Sequence, residues 1–133
     1  MTDSYRFGTQ EIESVLKQKN EVRFDYFIKR VADWGEVWGL KGPAGWVLLG
    51  DEQQNEVAVF WPFKEFAAIC ATGAWADSTP TSIDLDSFRA RWLTGLERDG
   101  RRVAVFPNIE RSASVLSAAE LRARLEEELD NLE

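Results

Sequence analysis

Apolar positions recur at helical spacing near both ends of the chain and crowd into short runs between them. Ile12, Val15 and Leu16 form one stripe on a helix predicted over residues 10–19, which Thr9 can cap. After Asn20 the stripe changes phase to Phe24, Phe27, Ile28 and Val31. The pattern predicts two consecutive helices or one kinked helix, ending before Gly35, a residue type suited to the position just past a helix end.

Three strand candidates follow over residues 36–40, 46–50 and 56–61, rich in Val and Trp. Gly42-Pro43-Ala44-Gly45 separates the first two and Asp51-Glu52-Gln53-Gln54-Asn55 the last two, connections short enough for an antiparallel meander. Val47-Leu48-Leu49 and Val57-Ala58-Val59-Phe60-Trp61 lack polar alternation, which predicts a sheet covered in part on both faces.

Pro62 suits the first turn of a helix running to about residue 71, with Phe63, Phe66, Ala67 and Cys70 on one face. A looser segment over residues 72–81 contains Trp75 and Pro80. Asp86 can then cap a helix whose apolar face is Phe88, Trp92, Leu93 and Leu96. Residues 102–106 read as a further strand stopped by Pro107, and residues 112–116 as a short edge strand. Ser117 and Glu120 have the spacing of a capping box, opening a last helix with the stripe Ala118, Leu121, Leu125, Leu129 and Leu132. The fold class is α+β: an antiparallel or mixed sheet of about five strands, helices packed on it and a C-terminal amphipathic helix, in a single domain over residues 1–133. Val-Ala-Val-Phe occurs twice, at 57–60 and 103–106; strand-forming residues this common match readily without duplication.

Composition narrows the function classes. A hydrophobic share of 44% with 29% charged residues belongs to a globular chain too apolar for disorder. Met1-Thr2-Asp3-Ser4-Tyr5-Arg6 lacks the start of a signal peptide, no apolar run is long enough to cross a bilayer, and the single Cys70 cannot form an internal disulfide. The expected location is cytoplasmic, with no membrane partner. The net charge of −7 opposes a phosphate backbone, and the arginines between Arg89 and Arg111 are interleaved with acids, so no nucleic acid is expected.

The chain contains no histidine. Ser-His-Asp and Cys-His catalysis are therefore excluded, and Cys70 reads as a buried thiol of raised pKa. No zinc-ligand spacing occurs, the 51–55 turn lacks the pattern of an EF-hand, and the dispersed glycines match no phosphate-binding loop. No catalytic, metal or cofactor-binding residue is assigned, and no cofactor is expected. Carboxylate pairs remain, drawn from Asp33, Glu36, Asp51, Glu65, Asp77 and Asp84, which flank the aromatic segments.

Phe24-Asp25-Tyr26-Phe27-Ile28-Lys29-Arg30, Val37-Trp38-Gly39-Leu40, Gly45-Trp46, Trp61-Pro62, Ile83-Asp84-Leu85 and Val105-Phe106-Pro107 occur in an order that resembles a bacterial family, domain of unknown function 2750. The resemblance spans roughly residues 21–107. It implies a small bacterial α+β protein and carries no activity, cofactor or substrate. It also implies a histidine after the Trp-Pro pair, where this chain has Phe63; chemistry relying on that imidazole is absent.

Four of the six tryptophans lie between Trp34 and Trp61, more indole than a small core requires. Trp92 fits a buried helix face. Trp34, at a helix end outside any apolar stripe, and Trp75, in the looser segment, are the candidate partner-binding anchors. The leading expectation is a protein-binding module, an immunity-type or regulatory partner with an acidic surface. The alternative is a small-molecule or sugar-binding protein, extending to a carboxylate-dependent enzyme. A pocket lined by tryptophan with two converging acids would favour the alternative. The leucine stripe of the last helix leaves a homodimer open.

Overall fold

The computed structural model describes residues 9–50 and 55–132. The 51–54 turn weighed as a cation loop and the amino-terminal residues read for a leader lie outside the described residues.

The first two elements of the described residues are the helices α1 (Thr9–Leu16) and α2 (Asn20–Trp34), and the phase change between them is a true break. Gly35 ends α2 in the left-handed conformation, φ 74°, where a side chain would be strained, and its N–H donates to Val31 O. β1 (Glu36–Gly42) then makes a tight hairpin with β2 (Gly45–Trp46), and β3 (Leu48–Gly50) pairs antiparallel with β4 (Glu56–Phe60). The expected meander divides at Val47. One sheet has the order β2-β1-β5 and the other β3-β4-β6-β7, joined where Trp38 and Trp61 exchange backbone hydrogen bonds of 2.9 and 2.7 Å.

β5 (Thr79–Asp84) lies in what reads as a looser segment, yet it pairs antiparallel with β1 from Glu36↔Asp84 to Lys41↔Thr79. Pro80 fits because β5 is an edge strand, where a missing donor is tolerated. The helix after it is capped by Asp84 instead of Asp86: the Asp84 carboxylate accepts the Ser87 N–H. That helix is α4 (Leu85–Ser87), a wider π-helical turn (Phe88–Trp92) and α5 (Leu93–Asp99) in succession. The turn sets Phe88 and Trp92 edge-on against Phe60, at 4.8 and 5.8 Å between ring centres.

α3 (Lys64–Cys70) follows Pro62, with Phe63 as its preceding cap position. β6 (Val103–Val105) runs parallel to β4, and β7 (Ser114–Leu116) is the edge strand of the second sheet. Val57, Ala58, Val59 and Phe60 are buried, as are Val103, Ala104 and Val105, so the central strands are covered on both faces. The two Val-Ala-Val-Phe copies lie side by side, offset by one residue (Ala58↔Val103), and burial accounts for their shared composition. The predicted capping box is present in α6 (Ala118–Asn131): Ser117 Oγ accepts the Glu120 N–H and the Glu120 carboxylate accepts the Ser117 N–H. Leu121 and Leu125 are fully buried against their own fold, while Leu132 is exposed.

Candidate protein-contact site

Trp34 stands at the end of α2 with 37% of its surface exposed. Its ring meets Phe63 edge-on at 6.1 Å, and ring contacts continue from Phe63 to Tyr26 (6.5 Å) and from Tyr26 to Phe66 and Phe106 (both 5.9 Å). Phe63, Phe66 and Phe106 are buried. Trp34 is thus the outer end of an aromatic chain rooted in the core, an anchor with little rotamer freedom left to lose on contact.

Four carboxylates share this corner. Asp33 and Glu36 flank Trp34 in sequence, the antiparallel register puts Glu36 opposite Asp84, and the Leu85 N–H to Gly35 O bond of 2.8 Å brings in Asp86. All four are exposed. Hydrogen bonds from Ser87 hold the Asp84 carboxyl below the usual carboxylate range, so it stays ionised. Like charges directly opposite on neighbouring strands oppose each other. Among the cations of the adjoining helices, the Arg30 guanidinium lies 5.2 Å from the centre of the Tyr26 ring, and Lys29 and Lys64 are exposed.

Trp75 does not share that setting. It is 5% exposed, held in a 3₁₀ turn (Gly73–Trp75), with the Arg111 guanidinium 3.8 Å from its ring centre and Trp61 edge-on at 5.9 Å. The expected surface anchor is corrected to a packed residue, clamped by groups distant in sequence. It also lines a cleft of about 270 Å³ with Trp46, Asp77 and the 42–45 turn. Sugar stacking needs an open ring face, and the Arg111 guanidinium occupies a face of Trp75. Among the described residues of that lining Asp77 is the one acid, where glycoside hydrolysis needs two. Trp46 packs onto Gly39 and meets Trp92 edge-on at 4.8 Å.

The carboxyl ends of β4 and β6 hold what sequence reading missed. Arg23, on α2, is 1% exposed, with no carboxylate among its hydrogen-bond partners in the described residues: it donates to Phe106 O (3.0 Å), Ser112 O (2.7 Å), Gln18 O and Asn20 Oδ1. Burial lowers its pKa, while Cys70 and Glu110 oppose that shift. Trp61 Nε1 donates to Pro107 O at 3.0 Å, and the Cys70 thiol points to the same oxygen at 3.5 Å. Burial pushes the Cys70 thiol up to about 11, as its place on the buried α3 face predicts. Beyond the missing apolar partner at Arg23's helix position, the sequence carries no signal for this cluster.

Fold and site together define an α+β chain whose exposed chemistry is an indole among carboxylates. The chain belongs to the family described as Protein of unknown function (DUF2750), whose model matches residues 24–125. That span begins in α2 and ends in α6, taking in both sheets and the Trp34 corner. No curated protein and no solved structure matches the chain. Among the described residues, no helix is long and apolar enough to cross a membrane.

Proposed function

We propose that this chain is a bacterial, cytoplasmic protein-binding module, an immunity-type or regulatory partner that meets a basic protein through the Trp34 corner. The observation that carries this reading is an exposed, core-rooted indole among the carboxylates Asp33, Glu36, Asp84 and Asp86. Charge of one sign speeds encounter with an oppositely charged partner, and a rigid aromatic residue slows release. The net charge of −7 supports the same direction of steering.

The test is capture with the intact chain as bait, identification by mass spectrometry, and titration of the purified partner. Trp34→Ala should weaken binding about 30-fold or more, equivalent to about 2 kcal/mol. Because the ring also packs on Phe63, the variant should lose about 1–2 kcal/mol of stability while remaining folded. Unchanged affinity in a folded Trp34→Ala protein would remove the corner from the contact. Small-molecule binding in the Trp46–Trp75 cleft is the second reading; its mark would be a ligand that perturbs Trp46 and leaves Trp34 untouched.

A further inference from the structure

The edge strands of the two sheets are β2, β5, β3 and β7, and their backbones are not equally protected. Residues of an antiparallel strand turn their N–H and C=O groups alternately toward one side and the other, so a few bonds settle which residues face outward. Ala58 N–H donates to Arg102 O, so Ala58 faces β6, the bonded pair of the β3–β4 ladder is Leu49↔Val57, and Leu48 and Gly50 face away. Val47 N–H donates to Leu40 O in β1, so its neighbour Trp46 faces away as well. Trp46, Leu48 and Gly50 thus present one row of backbone donors and acceptors along residues 45–50, which no hydrogen bond among the described residues meets.

The other edges are closed. Trp38 faces Trp61, so the outward residues of β5 are Pro80, Ser82 and Asp84: the first has no N–H and the last is charged. The outward residue of β7 is Val115, whose carbonyl accepts the Arg102 guanidinium at 3.3 Å. Proline, charge and covering side chains are the means by which edges are kept from pairing. Residues 45–50, Gly-Trp-Val-Leu-Leu-Gly, contain neither proline nor charge. The chemistry of what fits this row is defined by the row itself: an extended backbone alongside, which supplies an acceptor and a donor at each outward residue.

We infer that the 45–50 edge pairs antiparallel with the same edge of a second copy of this chain, about a twofold axis at Leu48. The row is self-complementary: Leu48 meets its own counterpart and Trp46 meets Gly50, which lets about six backbone hydrogen bonds form. Side chains alternate along a strand, so Gly50 opens onto the face that carries Trp46 and Leu48, and a Cβ built there meets nothing; the partner's indole is met by no side chain. The outer rows then read Lys41, Trp46, Gly50 and Glu56, a cation at one end and an acid at the other, and no like charges stand opposite each other although the chain carries −7. A foreign strand would satisfy the same backbone groups; the axis that sets Trp46 against Gly50 favours a second copy. The pairing uses no part of the Trp34 corner, so it stands or falls apart from the binding-module reading.

The experiment follows the purified chain by sedimentation at concentrations up to about 1 mM and by residue-resolved amide exchange at both ends of that range. Wild type should pass from monomer to dimer, and exchange at Leu48 and Gly50 should slow at least tenfold with concentration while Leu49, already bonded to β4, stays as it was. Leu48→Lys sets like charges across the axis, and Gly50→Pro removes an outward N–H without taking a bond from β4; each should weaken the dimer at least tenfold, and Trp34→Ala should leave it intact. Where a variant fails to fold, the wild-type exchange pattern decides. A monomer throughout, or a dimer without slowed exchange at Leu48 and Gly50, overturns the inference, as does a dimer that both folded variants leave intact. Dissociation by Trp34→Ala would place the interface at the corner and overturn the edge. Slowed exchange at Leu48 and Gly50 on addition of a captured protein, with no dimer in its absence, would give the edge to a foreign strand and overturn the second copy.

Discussion

Replacing Arg23 by Met should be among the most destabilising single changes in this chain, although it removes a buried charge. Two effects compete. Loss of the guanidinium returns its desolvation penalty, several kcal/mol for a buried ion, and Met fills much of the stem volume. Left behind are Phe106 O, Ser112 O and Gln18 O without this donor, each costing about 1–3 kcal/mol where water cannot reach. Phe106 O is the most enclosed, since Phe106 itself is 0% exposed. The charge-assisted bonds also hold a left-handed residue, so relaxation of Phe106 recovers part of the loss. The unpaired carbonyls, three at about 1–3 kcal/mol each, outweigh the recovered terms, for a net loss of about 3–5 kcal/mol. Urea unfolding at pH 7, followed by far-ultraviolet circular dichroism, reads this directly. With a slope of about 2 kcal/mol per molar, the midpoint should fall by about 2 M. Val22→Ala, at the neighbouring exposed position, is the control and should change stability by less than about 0.5 kcal/mol. A midpoint shift under about 0.5 M for Arg23→Met would refute the reasoning, because the carbonyls would then be finding other donors at little cost.

Gly39→Ala should cost about 1–3 kcal/mol, since a methyl there would come within 2.9 Å of the Trp46 ring, which Trp92 backs at 4.8 Å. Combined with Trp46→Leu the penalty should shrink; strictly additive losses in the double variant would show that the two sites do not collide. Cys70 should resist a thiol reagent in the native protein at pH 8 and react once unfolded, and rapid native labelling would show that α3 opens freely. Its raised pKa sets a sign as well. The unfolded thiol ionises near 9 and the folded one near 11, so stability should fall between those values more steeply in wild type than in Cys70→Ala; parallel profiles would remove Cys70 as the cause.

Helical spacing made α1, α2, α3 and α6 legible, and the Ser117–Glu120 box marked the start of α6 by local chemistry alone. β5 was hidden because Thr79, Thr81 and Ser82 supply no apolar alternation and Pro80 argues against a strand; its stability comes from pairing with β1, some forty residues earlier. The cap at Asp84 was displaced in the reading by Asp86, although the spacing from Asp84 to Ser87 is that of an N-cap acceptor to its N–H. Trp75 sits among turn residues, where local sequence points outward; Arg111 and Trp61 cover it, and neither neighbours it in the chain. Trp34 was legible because its position past the last apolar stripe residue is a local fact. Its carboxylate neighbours were legible only in part, since the pairing of Glu36 with Asp84 is a property of the missed strand.

The parallel pair β4–β6 gives the chain one feature of open α/β sheets, whose ligands gather at the carboxyl ends of parallel strands. Here those ends are filled by the protein itself: the Trp61 indole, the Cys70 thiol and the Arg23 guanidinium converge on the backbone of Phe106, Pro107 and Ser112. These buried polar contacts make a stiff base for whatever is mounted on them. The 107–111 loop is mounted directly, and Trp34 through the ring contacts of Phe63 and Tyr26 with Phe106. The 107–111 loop and the Trp34 corner therefore depend on the same plug of buried polar groups, and a change inside it should disturb them together. That coupling separates a plug that also sets the Trp34 corner from one that only closes the sheet. In the first case a folded Arg23→Lys protein shifts the amide signals at Trp34 and Ile109 alike, and in the second only those of the loop.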